Sequence, residues 1–411
     1  MRTFSEEERI EILSKIVSCN TVNGNEIEVA QYLKELFKKH DIDVELDYVS
    51  NDRPNLIATI GSGKPVVGLS GHMDVVSEGN KENWKYNPFE LTEKDGKLYG
   101  RGTSDMKSGL TALAISLIEI KENYNLEKGT IKFIATVGEE KEQFGSQQVY
   151  ENGYVKDLDA LIIAEPSETT LVYGHKGSMN IRITSNGSSC HSSAPFLGQN
   201  ALKPLLKFIK KIEDEYEDNI SKIKSKTLDF SNLLKTIENN EIPGVNKETI
   251  YNNVSGPIIN NTIINGGSQV NSIPEYATAE FNIRTIPEYN NDKVKELFQN
   301  YLDQLNDSEQ NYNLSMDIDL DLDPVITTGE NDLISLGIKL GQEHFDTEIT
   351  KSPTVGVTDA SNLLRNKEEG FPFLMLGPGS EAHQTNESVD KNMYLNFIDY
   401  YIKLILAYLS K

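Results

Sequence analysis

In "GHMDVV", His72 and Asp74 stand two positions apart, directly after the apolar run "PVVGLS". Residues i and i+2 of a strand leave the same face, so these two side chains can meet one cation or each other. Four further segments end in residues of the same type. "GRGTSDMKSG" places Asp105 at a helix start, "FIATVGEE" ends in Glu139 and Glu140, "LIIAE" ends in Glu165, and "FLMLGPGSEAH" leads to His383. Each of these alone reads equally well as an ordinary polar turn after a strand. Together they supply only ligand-type residues, mostly at C-terminal strand ends, where open α/β sheets collect their active sites.

Charge counting gives the set a chemistry. Two histidines and three carboxylates, one of them bridging, balance two divalent cations when one hydroxide is added. Without cations, the same carboxylates would raise one another's pKa and repel. Imidazole with carboxylate suits zinc, and cobalt or manganese accepts the same donors.

The elements that must position these residues have two styles. "EEERIEILSKIVS" and "NEIEVAQYLKELFKKH" have helical spacing, "PNLIATIG", "PVVGLSG", "TIKFIATVG" and "DALIIAEP" are short apolar runs closed by Gly or Pro, and "SGLTALAISLIEIKE" reads as a crossover helix. Continuous apolar strands separated by helices predict a mostly parallel α/β sheet buried on both faces. From Lys176 the style changes: "GSMNIRITSNG" and "YATAEFNIRTI" alternate, with helical stretches such as "VKELFQNYLDQL", predicting a smaller α+β insert with one solvated sheet face. The first style returns near residue 323 with "NDLISLGIKLGQEHF", "FPFLMLGPGS" and a terminal helix. The expected plan is one discontinuous domain, residues 1–176 and 323–411, interrupted by residues 177–322.

Composition removes other classes. Forty basic against 63 acidic residues leave a net charge of -23, which repels nucleic acid and anionic lipid. Cys19 and Cys190 are too few for a disulfide framework, "MRTFSEEERIEIL" lacks a signal-peptide apolar region, and no run approaches the roughly 18 residues of a membrane span. A cytoplasmic protein is expected. "GSGK" at residues 61–64 runs into Pro65 without phosphate-loop spacing, and neither HExxH nor GxSxG occurs.

Taken in order, "SGHMDVV", "GRGTSDMKSG", "ATVGEEKEQFG", "IIAEPS" and "GPGSEAHQTNE" are similar to the co-catalytic zinc amidohydrolases of the M20 peptidase family. The segment "HKGSMNIRITSNGSSCHSSAPFLGQNA" resembles the branch containing succinyl-diaminopimelate desuccinylase and acetylornithine deacetylase. The likeness implies a zinc-hydrolase catalytic domain with a ferredoxin-like lid and dimerisation domain, and two Zn2+ per subunit, Co2+ or Mn2+ being substitutes. It implies that His72, Asp105 and Glu165 hold one metal and Asp105, Glu140 and His383 the other. Asp74 would accept the far ring N–H of His72, fixing its tautomer. Glu139 would be the general base, taking a proton from water and passing it to the leaving amine. A cis peptide between Asp105 and Met106 belongs to the same likeness.

In the insert, the resemblance makes His191 an oxyanion stabiliser reaching across from a partner subunit, hence a homodimer built through the lid. Arg284 would bind a substrate carboxylate, with Lys176, Asn265 and Asn271 as further pocket residues. The implied reaction is amide cleavage of an N-acyl amino acid carrying carboxylates, first N-succinyl-L,L-2,6-diaminopimelate, releasing succinate and diaminopimelate in lysine biosynthesis. Acetylornithine deacetylase and dipeptidase are the nearer alternatives, a non-catalytic metal-binding scaffold the distant one. Two departures stand out: Val357 in "TVGVTDAS" where Thr is common, and Thr385 in "AHQTNE" where Pro is usual.

Overall fold

The apolar runs ending in His72, Thr136 and Glu165-Pro166 become adjacent strands. In the computed structural model, which describes residues 2–239, 245–308 and 312–411, strand Val66–His72 pairs in parallel with Gly129–Thr136 on one side and Ala160–Pro166 on the other. Phe373–Gly377 adds a fourth parallel strand beside Ala160–Pro166. Antiparallel neighbours flank this centre, Arg53–Ser62 and Val44–Ser50 on one side and Thr170–His175 on the other, within an eight-stranded sheet. The parallel centre is the α/β sheet that the continuous apolar runs predict; the sequence pattern does not mark Val44–Ser50, Thr170–His175 or Thr350–Thr354. Edge strands such as Val44–Ser50 are half-exposed and carry charge, so their apolar signal is diluted.

Helix Lys107–Asn123 is buried over its first 14 residues, which explains why its sequence is apolar on nearly every side. It packs against the terminal helix Lys391–Leu409 and against Glu6–Ser18, and its Ser116 hydroxyl donates to the carbonyl of Ile398 at 3.0 Å. Its first turn meets the sheet at Gly109, where a Cβ would stand 2.1 Å from the carbonyl oxygen of Ala164. Only glycine permits that approach, and it seats the helix start beside the strand that ends in Glu165.

By contact density the chain divides into Met1–Tyr173, Thr327–Ser352 and Thr358–Lys411 as one unit, and Gly174–Ile326 with Pro353–Val357 as the other. The second unit has its own core. Its principal strands Gly177–Asn186, Ile258–Gly266, Tyr276–Thr285 and Asn313–Leu322 lie in the spatial order second, third, first, fourth, every pair antiparallel. With helices Leu202–Asp218 and Asn291–Asn306 this is the ferredoxin-like β-α-β-β-α-β arrangement. Met179, Ile181 and Ile183 alternate inward from one strand and Ala277, Ala279, Phe281 and Ile283 from the next, which is the period that "GSMNIRITSNG" and "YATAEFNIRTI" display. Phe208, Phe281 and Phe298 meet edge to face at centroid distances of 5.1 to 6.1 Å. A small cluster of Leu228, Phe230 and Val254 lies under helices Ser231–Asn239 and Lys247–Ser255, an addition that the sequence pattern does not announce. No helix among the described residues is long and apolar enough to cross a membrane.

Candidate metal centre

The six candidate ligand and base residues of the larger unit, His72, Asp105, Glu139, Glu140, Glu165 and His383, converge at the C-terminal edge of its parallel strands. His72 is the last residue of its strand, and it is buried. Its Nε2 lies 3.2 Å from Asp105 Oδ1, 3.7 Å from Glu165 Oε1 and 4.0 Å from Glu139 Oε2. His383 Nε2 lies 2.8 Å from Glu140 Oε2 and 3.5 Å from Asp105 Oδ2. The two carboxylate oxygens of Asp105 therefore face two different imidazoles, as a bridging ligand must. The peptide joining Asp105 to Met106 is cis. Mutual proximity defines two overlapping triads with all ligand atoms within 4.8 Å of one another: His72, Glu139, Glu165 and His72, Asp105, Glu140. His383 belongs to neither triad; it is the exposed member, 55% accessible, on a backbone with φ of 59°.

The turn after strand Gly129–Thr136 aims Glu139 and Glu140. Gly138 adopts φ of 73°, a left-handed conformation that a side chain would resist. Asp74 then fixes the turn: its two carboxylate oxygens accept the N–H groups of Glu139 and Glu140, each at 3.1 Å. This corrects the role expected of Asp74. His72 Nδ1 stands 2.9 Å from the backbone carbonyl of Asp74 but 3.7 Å from its carboxylate, so the carbonyl orients the ring and the carboxylate serves the glutamate turn. Spacing along a strand identifies which residues can meet; it does not say which of their atoms do.

Electrostatics favour cations here. Burial opposes a charge on His72, yet Glu165, Asp105, Asp74 and Glu139 together raise its pKa well above the ordinary value. Burial also pushes Glu139 and Glu165 well above the carboxylate range; His72 opposes this, while neighbouring carboxylates reinforce it. Oε1 of Glu140 is buried without a hydrogen-bond partner among the described residues. An orphaned carboxylate oxygen beside crowded acids and two imidazoles is a donor set short of positive charge. These nitrogen and oxygen donors fit divalent metal, with zinc well suited.

Three contributors escape sequence reasoning. Gln143 Nε2 donates to Glu139 Oε1 at 2.9 Å; its only signal is a position four residues on. Asp359 is buried, accepts from the Thr136 hydroxyl at 2.5 Å and is pushed up to about 6 by burial. Glu387 is fully buried against the loop that carries Asp105.

The second unit gathers the remaining residues into two groups. His191 pairs with Ser272 in a short antiparallel ladder between segments remote in the chain, Asn271 accepts the Ser192 N–H at 2.9 Å through its carbonyl, and Asn265 lines a cavity of 420 Å³ with Ser272 and Ser189. Arg284 lies at the other end of the sheet, opposite Ser178, to whose hydroxyl it donates. Arg284 has no carboxylate partner among the described residues and burial lowers its pKa. Lys176 corrects an expectation: it is buried, and its ammonium donates to the carbonyls of Asn253 at 2.7 Å and Gly256 at 2.6 Å. Burial, then Arg284 and Lys224, push its pKa down to about 7. Lys176 therefore ties strand to helix within this unit and offers no free ammonium to a ligand.

Comparison with known proteins agrees with this architecture. Residues 68–407 match the model of peptidase family M20/M25/M40. A protein of Staphylococcus aureus strain N315 named "Probable succinyl-diaminopimelate desuccinylase" is 44% identical over 414 residues, covering 100% of both chains. A succinyl-diaminopimelate desuccinylase of Wolbachia pipientis wMel is 27% identical, covering 95% of this chain and 93% of that protein. The crystal structure of an M20 family metallo-carboxypeptidase from Sulfolobus solfataricus superposes with a TM-score of 0.77 at 21% identity, covering 98% and 100%, and so shares the fold. With a family match over most of its length and a 44% identical relative spanning all of it, this chain belongs to peptidase family M20/M25/M40 and is a metal-dependent hydrolase acting on amides.

Proposed function

We propose that the protein is a dinuclear zinc amidohydrolase that cleaves N-succinyl-L,L-2,6-diaminopimelate to succinate and diaminopimelate. The observation that carries the reading is Asp105, whose two oxygens face His72 and His383 at 3.2 and 3.5 Å. His72, Asp105 and Glu165 would hold one cation and Asp105, Glu140 and His383 the other. When bound, the pair supplies Lewis-acid activation of water and of the scissile carbonyl. Glu139 takes a proton from the attacking water as the new C–O bond forms and returns it to the amine nitrogen, which leaves as the amide C–N bond then breaks. Gln143, bonded to Glu139 Oε1, steers that carboxylate, and Asp74 holds its backbone.

Arg284, partly buried and without an acidic partner among the described residues, is suited to a substrate carboxylate. Arg284 and the ladder that holds His191 stand at opposite ends of strands about 27 Å long, at 3.4 Å per residue. One small substrate cannot touch both from the same chain. This supports His191 serving the site of a second copy as an oxyanion donor, with Asn265 and Asn271 beside it. The edge strand Ile258–Gly266 carries no charge, whereas the opposite edge Asn313–Leu322 bears Asp317, Asp319 and Asp321. Acidic residues blunt the second edge and leave the first for a homodimer through this unit. The 44% identical relative named as a probable succinyl-diaminopimelate desuccinylase supports a place in lysine biosynthesis.

The test is cleavage of N-succinyl-diaminopimelate, N-acetylornithine and simple dipeptides by zinc- or cobalt-loaded protein, read by mass. Metal-dependent cleavage of the succinyl compound far above the rest is expected. Preference for another member of the panel would transfer the assignment to it, and no cleavage with two metals bound would favour a binding protein.

A further inference from the structure

Four residues beyond His383, the carboxylate of Glu387 is fully buried. Its Oε1 accepts three backbone N–H groups, from Gly102 at 3.1 Å, Ser104 at 2.8 Å and Asp105 at 2.9 Å. Its Oε2 pairs with the buried guanidinium of Arg101, which stacks over the Trp84 ring at 5.2 Å and donates to the Ser77 carbonyl at 3.1 Å. The same two loops are joined twice more. Gly100 N–H donates to the Glu387 carbonyl at 3.1 Å, and Glu381 N–H donates to the Ser104 hydroxyl at 3.0 Å.

Three N–H groups converging on one oxygen form a nest that is costly to leave empty in a buried place. One carboxylate thus locks the loop that carries Asp105 to the loop that carries His383. The other ligands are held differently. His72 and Glu165 sit on strands whose ladder bonds do not involve Glu387.

We propose that Glu387 is a positioning residue for one of the two metal positions: it sets Asp105 and His383 as a single rigid unit, preforming the site they share with Glu140. This rests on the two-metal reading above. Two of the three ligands of that position hang on Glu387, against one of three at the position of His72 and Glu165. Losing Glu387 must therefore weaken the two positions unequally.

The experiment titrates full-length protein with zinc against a chromophoric chelator, resolving both affinities, and repeats it with cobalt to follow the visible spectrum. Glu387→Gln keeps the size but turns an amide N–H toward Arg101. One zinc affinity is expected to fall ~10- to 100-fold, the range for residues that support ligands, while the other changes less, and one cobalt band shifts. Glu119→Gln, which breaks the buried Arg9–Glu119 pair at 2.9 Å, is the stability control. It should lower the melting temperature and leave both affinities alone. Equal loss at both positions, no loss, or the same loss in Glu119→Gln would each overturn the proposal. Should Glu387→Gln fail to fold, Arg101→Lys is expected to give a smaller loss at one position, and unchanged binding overturns it. Wild-type protein that binds fewer than two zinc ions would refute the two-metal reading itself, a separate outcome.

Discussion

Asp74→Asn separates the two tasks that its position offers. Each carboxylate oxygen accepts one N–H of the glutamate turn at 3.1 Å, and the side chain is 1% exposed. The amide retains one acceptor and turns a donor toward the other N–H, so one charge-assisted bond is lost and a buried N–H loses its partner. Such bonds are worth about 1.5–3 kcal/mol each. If that free energy governs local opening of the turn, hydrogen exchange at Glu139 or Glu140 should quicken roughly 10- to 150-fold. His72 keeps its own orienting bond, because the carbonyl of Asp74 at 2.9 Å is unchanged. The assay is amide exchange of the metal-loaded protein by mass spectrometry, with zinc affinities and turnover measured alongside. Faster exchange at the turn, weaker zinc at the position of Glu140 and reduced turnover are expected. Unchanged exchange there, with zinc lost at the position of His72 and Glu165, would refute the reasoning and return Asp74 to the imidazole.

Glu139→Gln should keep two zinc ions yet lose about 10²- to 10⁴-fold in turnover, the usual share of a general base; turnover near wild type would exclude that role. Gly109→Ala forces a Cβ to 2.1 Å from the Ala164 carbonyl, so it should destabilise the larger unit by about 1–3 kcal/mol, read from urea unfolding, and an unchanged midpoint would contradict the tight seating of that helix. Burial holds His175 down at about 4, so between its ordinary value near 6.5 and that value the unfolded chain binds a proton that the folded chain refuses. Stability should be intact above about pH 6.5 and fall by up to about 3 kcal/mol as pH drops toward 4, and His175→Gln should flatten that slope; parallel pH profiles for the two proteins would show that His175 is not its source.

By itself the sequence determined the class of both units and picked out the acidic and histidine residues that gather in the larger one. Long-lived signals carried that information: continuous apolar runs for strands covered on both faces, alternation for the sheet with one solvated face, and His, Asp or Glu at the strand ends. His72, Asp105, Glu139, Glu140, Glu165 and His383 all meet in the larger unit, as the positions of most of them after apolar runs, and of Asp105 at a helix start, imply. The edge strands Val44–Ser50 and Asn313–Leu322 stayed illegible because they are partly exposed and carry charge where a central strand is apolar. Tertiary structure alone decided which atoms do which work. Asp74 turned its carboxylate to the glutamate turn, Lys176 spent its ammonium on two carbonyls, and Glu387 closed a nest over residues remote in the chain. Those choices depend on distances of about 3 Å between groups as many as 285 positions apart, and only packing brings such atoms together.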